Sequence, residues 1–264
     1  MNDDTQVTID ELMIATLAKE FTNETRAFNG AVSFVPVCAY LLARRTHAPE
    51  LVWSASSIAV DAAPAAIAQS TLSDALWANA TMISNSVFDF WSYAQSGAYN
   101  TFAFRGAQMD RYGNVNNTVI GPYDSPKVRL PGGGGMADLG CMIPNIYLWS
   151  STHDRRTFVE KLDFRSGMGW GDGGDHRARL GLPGGPQLCV TNLGVFDFHP
   201  ATHEMRVRSL HPGVTLEQVR DNTGFPLDAA GPGEIPTTPT PEASVVNVLR
   251  TEVDPTSARL REFQ

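Results

Sequence analysis

Cysteine is scarce in this chain. Cys38, Cys141 and Cys189 are the only three in 264 residues, an odd count with no two close together. That argues against a disulfide framework or a Cys-rich zinc site and points to a reducing, cytoplasmic setting. Positive charge is also short: 20 Lys and Arg stand against 28 Asp and Glu, a net −8 with a pI near 5.2. No nucleic-acid groove and no anionic membrane surface is therefore expected as the main partner. A local basic pocket for a phosphorylated ligand stays open. Long hydrophobic runs are missing. The longest apolar stretch, Gly30 to Ala43, carries Ser33 and is too short to span a bilayer. Met1 to Asp10 is acidic and polar and does not read as a signal peptide. The six histidines, among them His153, His176, His203 and His211, show no metal-ligand spacing such as His-Glu-x-x-His, so no metal is expected and they read as solvated or capping residues. No Gly-x-Ser-x-Gly elbow is present.

What remains is an ordinary globular composition, 42% hydrophobic and 18% charged. The chain reads as a single domain, 1–264, with a Pro-rich connector at 231–241 and a C-terminal tail at 242–264. Thr8-Ile9-Asp10-Glu11 is a capping box that opens a helix over 8–21. Arg26 to Gly30 reads as a loop, and Ala31 to Arg45 as an apolar helix with Pro36 in its first turn. Short apolar runs at 50–55, 100–106, 145–149 and 187–191 read as buried strands, with a helix at 86–96 among them. Strands alternating with helices predict an α/β fold, with a mostly parallel sheet flanked by helices. Thr215 caps a helix that ends near Thr223-Gly224, with Gly224 available for a left-handed cap, and Ala243 to Thr251 forms a last helix.

The loudest local signal is Gly132-Gly133-Gly134-Gly135. Consecutive glycines let a backbone approach a ligand and aim N–H groups at an anion or a developing oxyanion. No Gly-Lys-Ser/Thr follows, so it is no P-loop; a ligand cradle and a plain surface loop both fit. Asp110 to Asn116 suits a tight turn fixed by side-chain bonds to backbone, a structural role. Arg155-Arg156 and Arg177/Arg179 are basic spots expected to form surface salt bridges. Trp53, Phe88, Phe90 and Trp91 could line an apolar ligand, although core packing explains them as well.

Taken together, several segments resemble the family I CoA-transferases, of the glutaconate CoA-transferase β-subunit type. They are Phe104 to Asn116, Ile120-Gly121, Ser125-Pro126-Lys127, Gly132 to Gly135 and Gly169-Trp170. Arg179 to Gly184, Gln187 to Thr191, Asn222 to Phe225 and Leu249 to Pro255 continue the pattern. The resemblance implies a CoA-transferase fold, a partner α subunit in a heterodimer or a tetramer of two such pairs, and an active site at the α–β interface. It implies coenzyme A as part of the substrate and no permanently bound cofactor. In the family a β-subunit glutamate attacks the thioester, and it opens a Glu-Ser-Gly segment just before an Asp-x-x-Pro. Counting back from Asp61-Ala62-Ala63-Pro64 places Ser56 on that glutamate, Ser57 on the serine and Ile58 on the glycine. A serine hydroxyl cannot form the family's acyl anhydride.

The expectation is therefore a departure from transfer. Relatives lacking the glutamate hydrolyse a C–C bond in a cyclic β-keto acyl-CoA or decarboxylate a glutaconyl-type acyl-CoA, both through a thioester-stabilised carbanion. The residues expected to serve this are Ser56 and Ser57 at the reacting carbon and the backbone donors of Gly134, Gly135 and Met136. Gly106, Ala107 and Gln108 would shape the thioester side, on a supporting turn of Asp110, Asn114 and Asn116. Two alternatives are true CoA transfer through another carboxylate, Asp61 or Glu50, and a non-catalytic subunit that stabilises its partner.

Overall fold

The structure, a computed structural model, describes residues 6–30, 33–55, 59–65, 67, 80, 82–83 and 87–264. It is α/β, with a main sheet that is mostly parallel, small antiparallel pairs beside it, and helices flanking the strands. The chain divides into two compact units, Met1–Thr101 with Pro239–Gln264, and Phe102–Thr238.

In the first unit, Thr8 caps helix α1 (Ile9–Ala18), and the Glu11 carboxylate accepts the Thr8 N–H at 3.0 Å, closing the capping box that the sequence predicts. Arg26–Phe28 is not a loop but strand β1, too short to announce itself in sequence. Helix α2 (Phe34–Thr46) has Pro36 in its first turn and is buried without a break from Phe34 to Ala43, as befits a helix apolar on every side. Strand β2 (Val52–Ser54) runs parallel to β1, pairing Arg26 with Val52 and Phe28 with Ser54. Beyond it Ala55 and Ala59 exchange backbone bonds of 2.8 and 3.3 Å across residues 56–58. Strands β3 (Ala59–Val60) and β4 (Met82–Ile83) pair antiparallel, and helix α3 (Val87–Gln95) follows. Trp53 is fully buried and donates its indole N–H to Asn29 at 3.2 Å, while Phe90 packs edge-on to Phe28 at 4.7 Å; both belong to the core. Phe88 is 82% exposed.

The C-terminal stretch closes this unit through charge. Its helix is α only over Ala243–Val248, then widens to a π turn at Leu249–Val253, with a 3-10 turn at Ala258–Glu262. The buried Arg259 guanidinium donates to Asp10 at 2.6 Å, Asp254 at 3.1 Å and Glu11 at 3.2 Å, and Arg250 donates to Glu11 at 2.6 Å. Glu262 accepts the first two N–H groups of α2, from Phe34 and Val35, at 3.0 Å each. A carboxylate from the far end of the chain thus supplies the cap that Ser33 does not.

The second unit opens at Phe102, within β5 (Thr101–Phe104). Hairpins join β6 (Gln108–Met109) to β7 (Val115–Asn116) and β8 (Val119–Ile120) to β9 (Val128–Arg129), and helix α4 (Met136–Met142) follows. Its main sheet runs β14 (Asp228–Ala229), β13 (Met205–Leu210), β12 (Gly194–Phe198), β11 (Gly185–Thr191), β10 (Asn145–Ser150), β5. β10 and β11 are parallel, whereas β11, β12 and β13 form an antiparallel meander that the apolar-run reading passes over.

Several expectations change here. Helix α5 (Leu216–Asp221) starts at Thr215 as predicted but stops at Asn222. Gly224 is not left-handed; a Cβ there would lie 2.7 Å from the Phe158 carbonyl, so close approach explains this glycine. His153 and His211 are neither solvated nor caps. Both are buried, His153 between the Thr191 and Thr223 hydroxyls at 3.0 and 2.9 Å, His211 between Thr238 Oγ1 and the Thr191 carbonyl at 3.0 and 2.8 Å. Arg177 is buried too, and its guanidinium donates to the carbonyls of Gly140, Gly169, Pro183 and Gly184 at 2.6–3.1 Å. Arg179 and Arg156 do form the expected surface pairs, with Asp175 at 3.3 Å and Asp154 at 3.2 Å.

Candidate functional site

Ser56 and Ser57, the expected catalytic pair, lie outside the described residues. The other expected site residues all fall in the second unit, and Ala107 and Met136 among them are tied together by a residue that the sequence reading did not single out, Asn117.

Asn117 donates its amide to the Arg105 carbonyl at 2.8 Å and to Met136 Sδ at 3.4 Å. Its Oδ1 accepts the Ala107 N–H at 2.8 Å, and its own carbonyl accepts the Gly132 N–H at 2.8 Å. One side chain and its backbone therefore tie the Arg105–Ala107 segment to the glycine loop. Ser166 supports the node: its hydroxyl accepts the Asn117 N–H at 2.8 Å and lies 2.7 Å from Thr118 Oγ1. The Asn116-Asn117 doublet directly after a strand was the available signal.

The glycine loop leads into α4. Gly132 and Gly134 have φ of +103° and +51°, and a Cβ on either would meet nothing within 4 Å, so backbone conformation and not crowding requires glycine there. The Met136 N–H is engaged inside the loop, donating to Gly133 O at 2.9 Å. The N–H groups of Gly134 and Gly135 have no acceptor among the described residues. Two of the three expected backbone donors are thus open to a ligand.

The thioester-side residues are more tightly committed. Gly106 is buried, and a Cβ there would sit 2.5 Å from Gln108 O. Ala107 N–H donates to both Asn116 O at 3.0 Å and Asn117 Oδ1 at 2.8 Å. Gln108 is buried with its amide held on both sides: it donates to Asp163 at 2.8 Å and accepts from Asn116 Nδ2 at 2.7 Å and Asp163 N–H at 3.1 Å. These residues shape a wall and leave it rigid.

The supporting turn is a closed polar knot. Asp110 Oδ1 accepts the N–H groups of Tyr112 and Asn114 at 3.0 Å each, and Oδ2 accepts Asn114 Nδ2 at 2.8 Å. Burial pushes the Asp110 carboxyl above its usual value, against the hydrogen bonds from Asn114 and Tyr112. Asn114 Oδ1 in turn accepts from Gly169 and Gly171 at 2.9 and 3.1 Å, while Trp170 N–H reaches Tyr112 O at 2.9 Å. Asn116 Oδ1 accepts the Thr118 N–H at 2.9 Å, beyond the turn it was expected to fix, and Asp110 holds that turn in its place. Gly169-Trp170, noted in sequence only as part of a pattern, is the surface on which this turn is built.

The carboxylates offered as substitute nucleophiles are in the first unit. Asp61, left-handed at φ +52°, is paired with Arg44 at 3.0 Å. Glu50 is exposed, and its N–H donates to Asn23 at 3.0 Å. Thr223, Gly224 and Phe225 line a cleft of about 510 Å³ in the second unit, with Arg155, Glu160 and Arg220.

Residues 11–222 match the family model for coenzyme A transferases. The chain is 41% identical to the β subunit of the 3-oxoadipate CoA-transferase of Pseudomonas knackmussii, over 76% of this chain and 79% of that one. It is 31% identical to the IpdB subunit of a cholesterol ring-cleaving hydrolase from Rhodococcus jostii, over 98% and 97%. Among solved structures, glutaconate coenzyme A-transferase from Acidaminococcus fermentans superposes with a TM-score of 0.86 at 30% identity, covering 98% of each chain.

Proposed function

This chain belongs to the coenzyme A transferase family, and from that premise we propose that it is the β-type partner of an α subunit and acts on an acyl-CoA by breaking a carbon–carbon bond, either hydrolytically or by decarboxylation, without passing coenzyme A to a second acid. The observation that carries this reading is a serine, Ser56, five residues before Asp61-Ala62-Ala63-Pro64, where the family resemblance implies the attacking glutamate. A hydroxyl at that position yields an ester at best, with none of the anhydride's leaving ability, and the route from acyl anhydride to enzyme-bound thioester is lost. Asp61 is a weak substitute, because a carboxylate held by a guanidinium at 3.0 Å gives up much of its nucleophilicity. The 31% identity to a hydrolase subunit over nearly the whole chain supports the same direction.

In decarboxylation, the bond between the acyl chain and its carboxylate breaks, CO₂ departs, and the electron pair delocalises onto the thioester oxygen before a proton from solvent completes the product. In hydrolysis, water adds to a β-keto carbonyl, the adjacent C–C bond breaks, and the same thioester enolate receives the electrons. Both routes need donors aimed at the thioester oxygen more than they need a nucleophile. Gly134 and Gly135 are assigned that role, with Met136 fixing the loop behind them and Gly106, Ala107 and Gln108 forming a rigid wall. Ser56 and Ser57 are assigned to the attacking water or the departing carboxylate. The general base comes from the partner subunit or the substrate.

The second reading, CoA transfer, draws on the 41% identity to a transferase subunit. Product analysis separates the two. Turnover of β-keto and α,β-unsaturated acyl-CoAs by the assembled heteromer in ¹⁸O water is expected to yield ¹⁸O-labelled carboxylate or free CO₂. Coenzyme A appearing on an added carboxylic acid, with neither product formed, would establish transfer.

A further inference from the structure

Four arginines of the second unit are not exposed: Arg105, Arg111, Arg177 and Arg206. Three have acceptors. Arg111 reaches Glu204 at 3.4 Å, Arg206 holds Asp197 at 3.0 Å, and Arg177 is ringed by carbonyls. Arg105 has neither a carboxylate nor a carbonyl acceptor among the described residues. Its guanidinium lies instead over the ring of the buried Trp149, 5.1 Å from the centroid. In a chain with 28 acidic side chains against 20 basic ones, a half-buried cation without an acceptor is not for want of carboxylates. Half-buried guanidinium groups lose hydration, and the loss is ordinarily made good by hydrogen bonds.

The backbone behind this cation is fixed. Arg105 follows directly on β5, and its carbonyl accepts the Asn117 amide at 2.8 Å, the same amide that touches Met136 beyond the glycine loop. Stacking on an indole orients the guanidinium plane and leaves its N–H edge free, the geometry suited to a planar two-oxygen acceptor.

We infer that Arg105 is a substrate-reading residue: it takes the carboxylate at the far end of the acyl chain and so selects thioesters of dicarboxylic acids. This rests on the acyl-CoA reading above. It adds to that reading a recognition element for a carboxylate that is retained through the reaction, distinct from the departing one assigned to Ser56 and Ser57.

The test uses the assembled heteromer and two thioesters of equal chain length, glutaryl-CoA with a terminal carboxylate and pentanoyl-CoA without one, with calorimetric affinities as the readout. Wild-type protein is expected to favour glutaryl-CoA. Arg105→Met keeps the apolar stem on Trp149 and is expected to weaken glutaryl-CoA by about 10- to 100-fold, the worth of a charge-assisted hydrogen bond, while leaving pentanoyl-CoA within about twofold. Arg105→Lys, which keeps the charge, is expected to recover part of the loss. Equal weakening of both thioesters by Arg105→Met would place the guanidinium on a coenzyme A phosphate and overturn the inference. So would no change in either, or a variant that no longer co-elutes with its partner where Arg105→Lys does. Wild-type protein that binds neither thioester overturns the acyl-CoA reading, and this inference with it.

Discussion

Asn117 shows what a single polar side chain can organise. Its neighbours in the chain mark a turn, but the groups it joins, Arg105, Ala107, Gly132 and Met136, are up to nineteen positions away in sequence and meet only in the fold. For that reason the sequence reading singled out both segments of the candidate site, the loop at 132–135 through its glycines and Gly106 to Gln108 through the family resemblance, without identifying the residue that connects them. Arg105 was equally silent, since an arginine without a partner looks in sequence like one with a partner. His153 is a third case. Its ring stacks on Phe158 at 3.9 Å and lies between two threonine hydroxyls. Thr223 Oγ1 already donates to the Val219 carbonyl at 2.7 Å, so it accepts from His153 Nε2–H, and Thr191 Oγ1 then donates to Nδ1. Such a site holds the neutral ring, and burial lowers its pKa from 6.5 to about 3. The folded protein thus stays unprotonated where the unfolded chain takes up a proton. Stability from this residue is complete above pH 6.5 and falls as pH drops toward 3, with a slope of about 1.4 kcal/mol per pH unit. Burial lowers the His211 pKa as well, which adds in the same direction. Urea unfolding midpoints of wild type and His153→Gln between pH 7 and pH 4 should converge as the pH falls, and parallel curves would rule this account out.

At the scale of elements, local chemistry was legible where it acts locally. Both capping boxes, at Thr8-Glu11 and Thr215-Gln218, start helices where the sequence says. The unbroken apolar face of α2 and the strands at β2, β5, β10 and β11 follow from composition alone. Elements set by distant partners were not legible. β1 has three residues and exists because β2 lies beside it. The meander strand β13 does carry a signal, since Met205, Val207 and Ser209 are buried and alternate with Arg206 and Arg208, but alternation is easily missed beside solid apolar runs. Glu11 illustrates the limit best: the capping residue of α1 is also the partner of Arg250, 239 positions later. Burial opposes its ionisation, yet hydrogen bonds from Arg250 and Thr8 draw its carboxyl below the usual value. Arg259 is the hub of this network. Arg259→Met would strand Asp10 and Asp254 in the interior, so it is expected to lower unfolding free energy by about 3–5 kcal/mol. Denaturant titration measures this directly, and a loss under about 1 kcal/mol would show that the network contributes little.

At the scale of the whole molecule, the family and the α/β fold were recoverable because many short motifs keep their order along the chain, from Phe104-Arg105-Gly106 to Leu249-Arg250-Thr251. The proposed reaction is a different matter, because the proposal turns on one position, Ser56, whose meaning depends on counting from Asp61 and Pro64. The central claim is that this subunit carries no nucleophilic carboxylate for coenzyme A. Intact-mass analysis of the subunit, after incubating the assembled heteromer with acyl-CoA and trapping with borohydride, tests it most directly. Wild-type protein is expected to keep its native mass while substrate is consumed, and Ser56→Glu is expected to gain a trapped coenzyme A adduct or its borohydride reduction product. An adduct on the wild-type subunit would contradict the account and return the enzyme to the transferases.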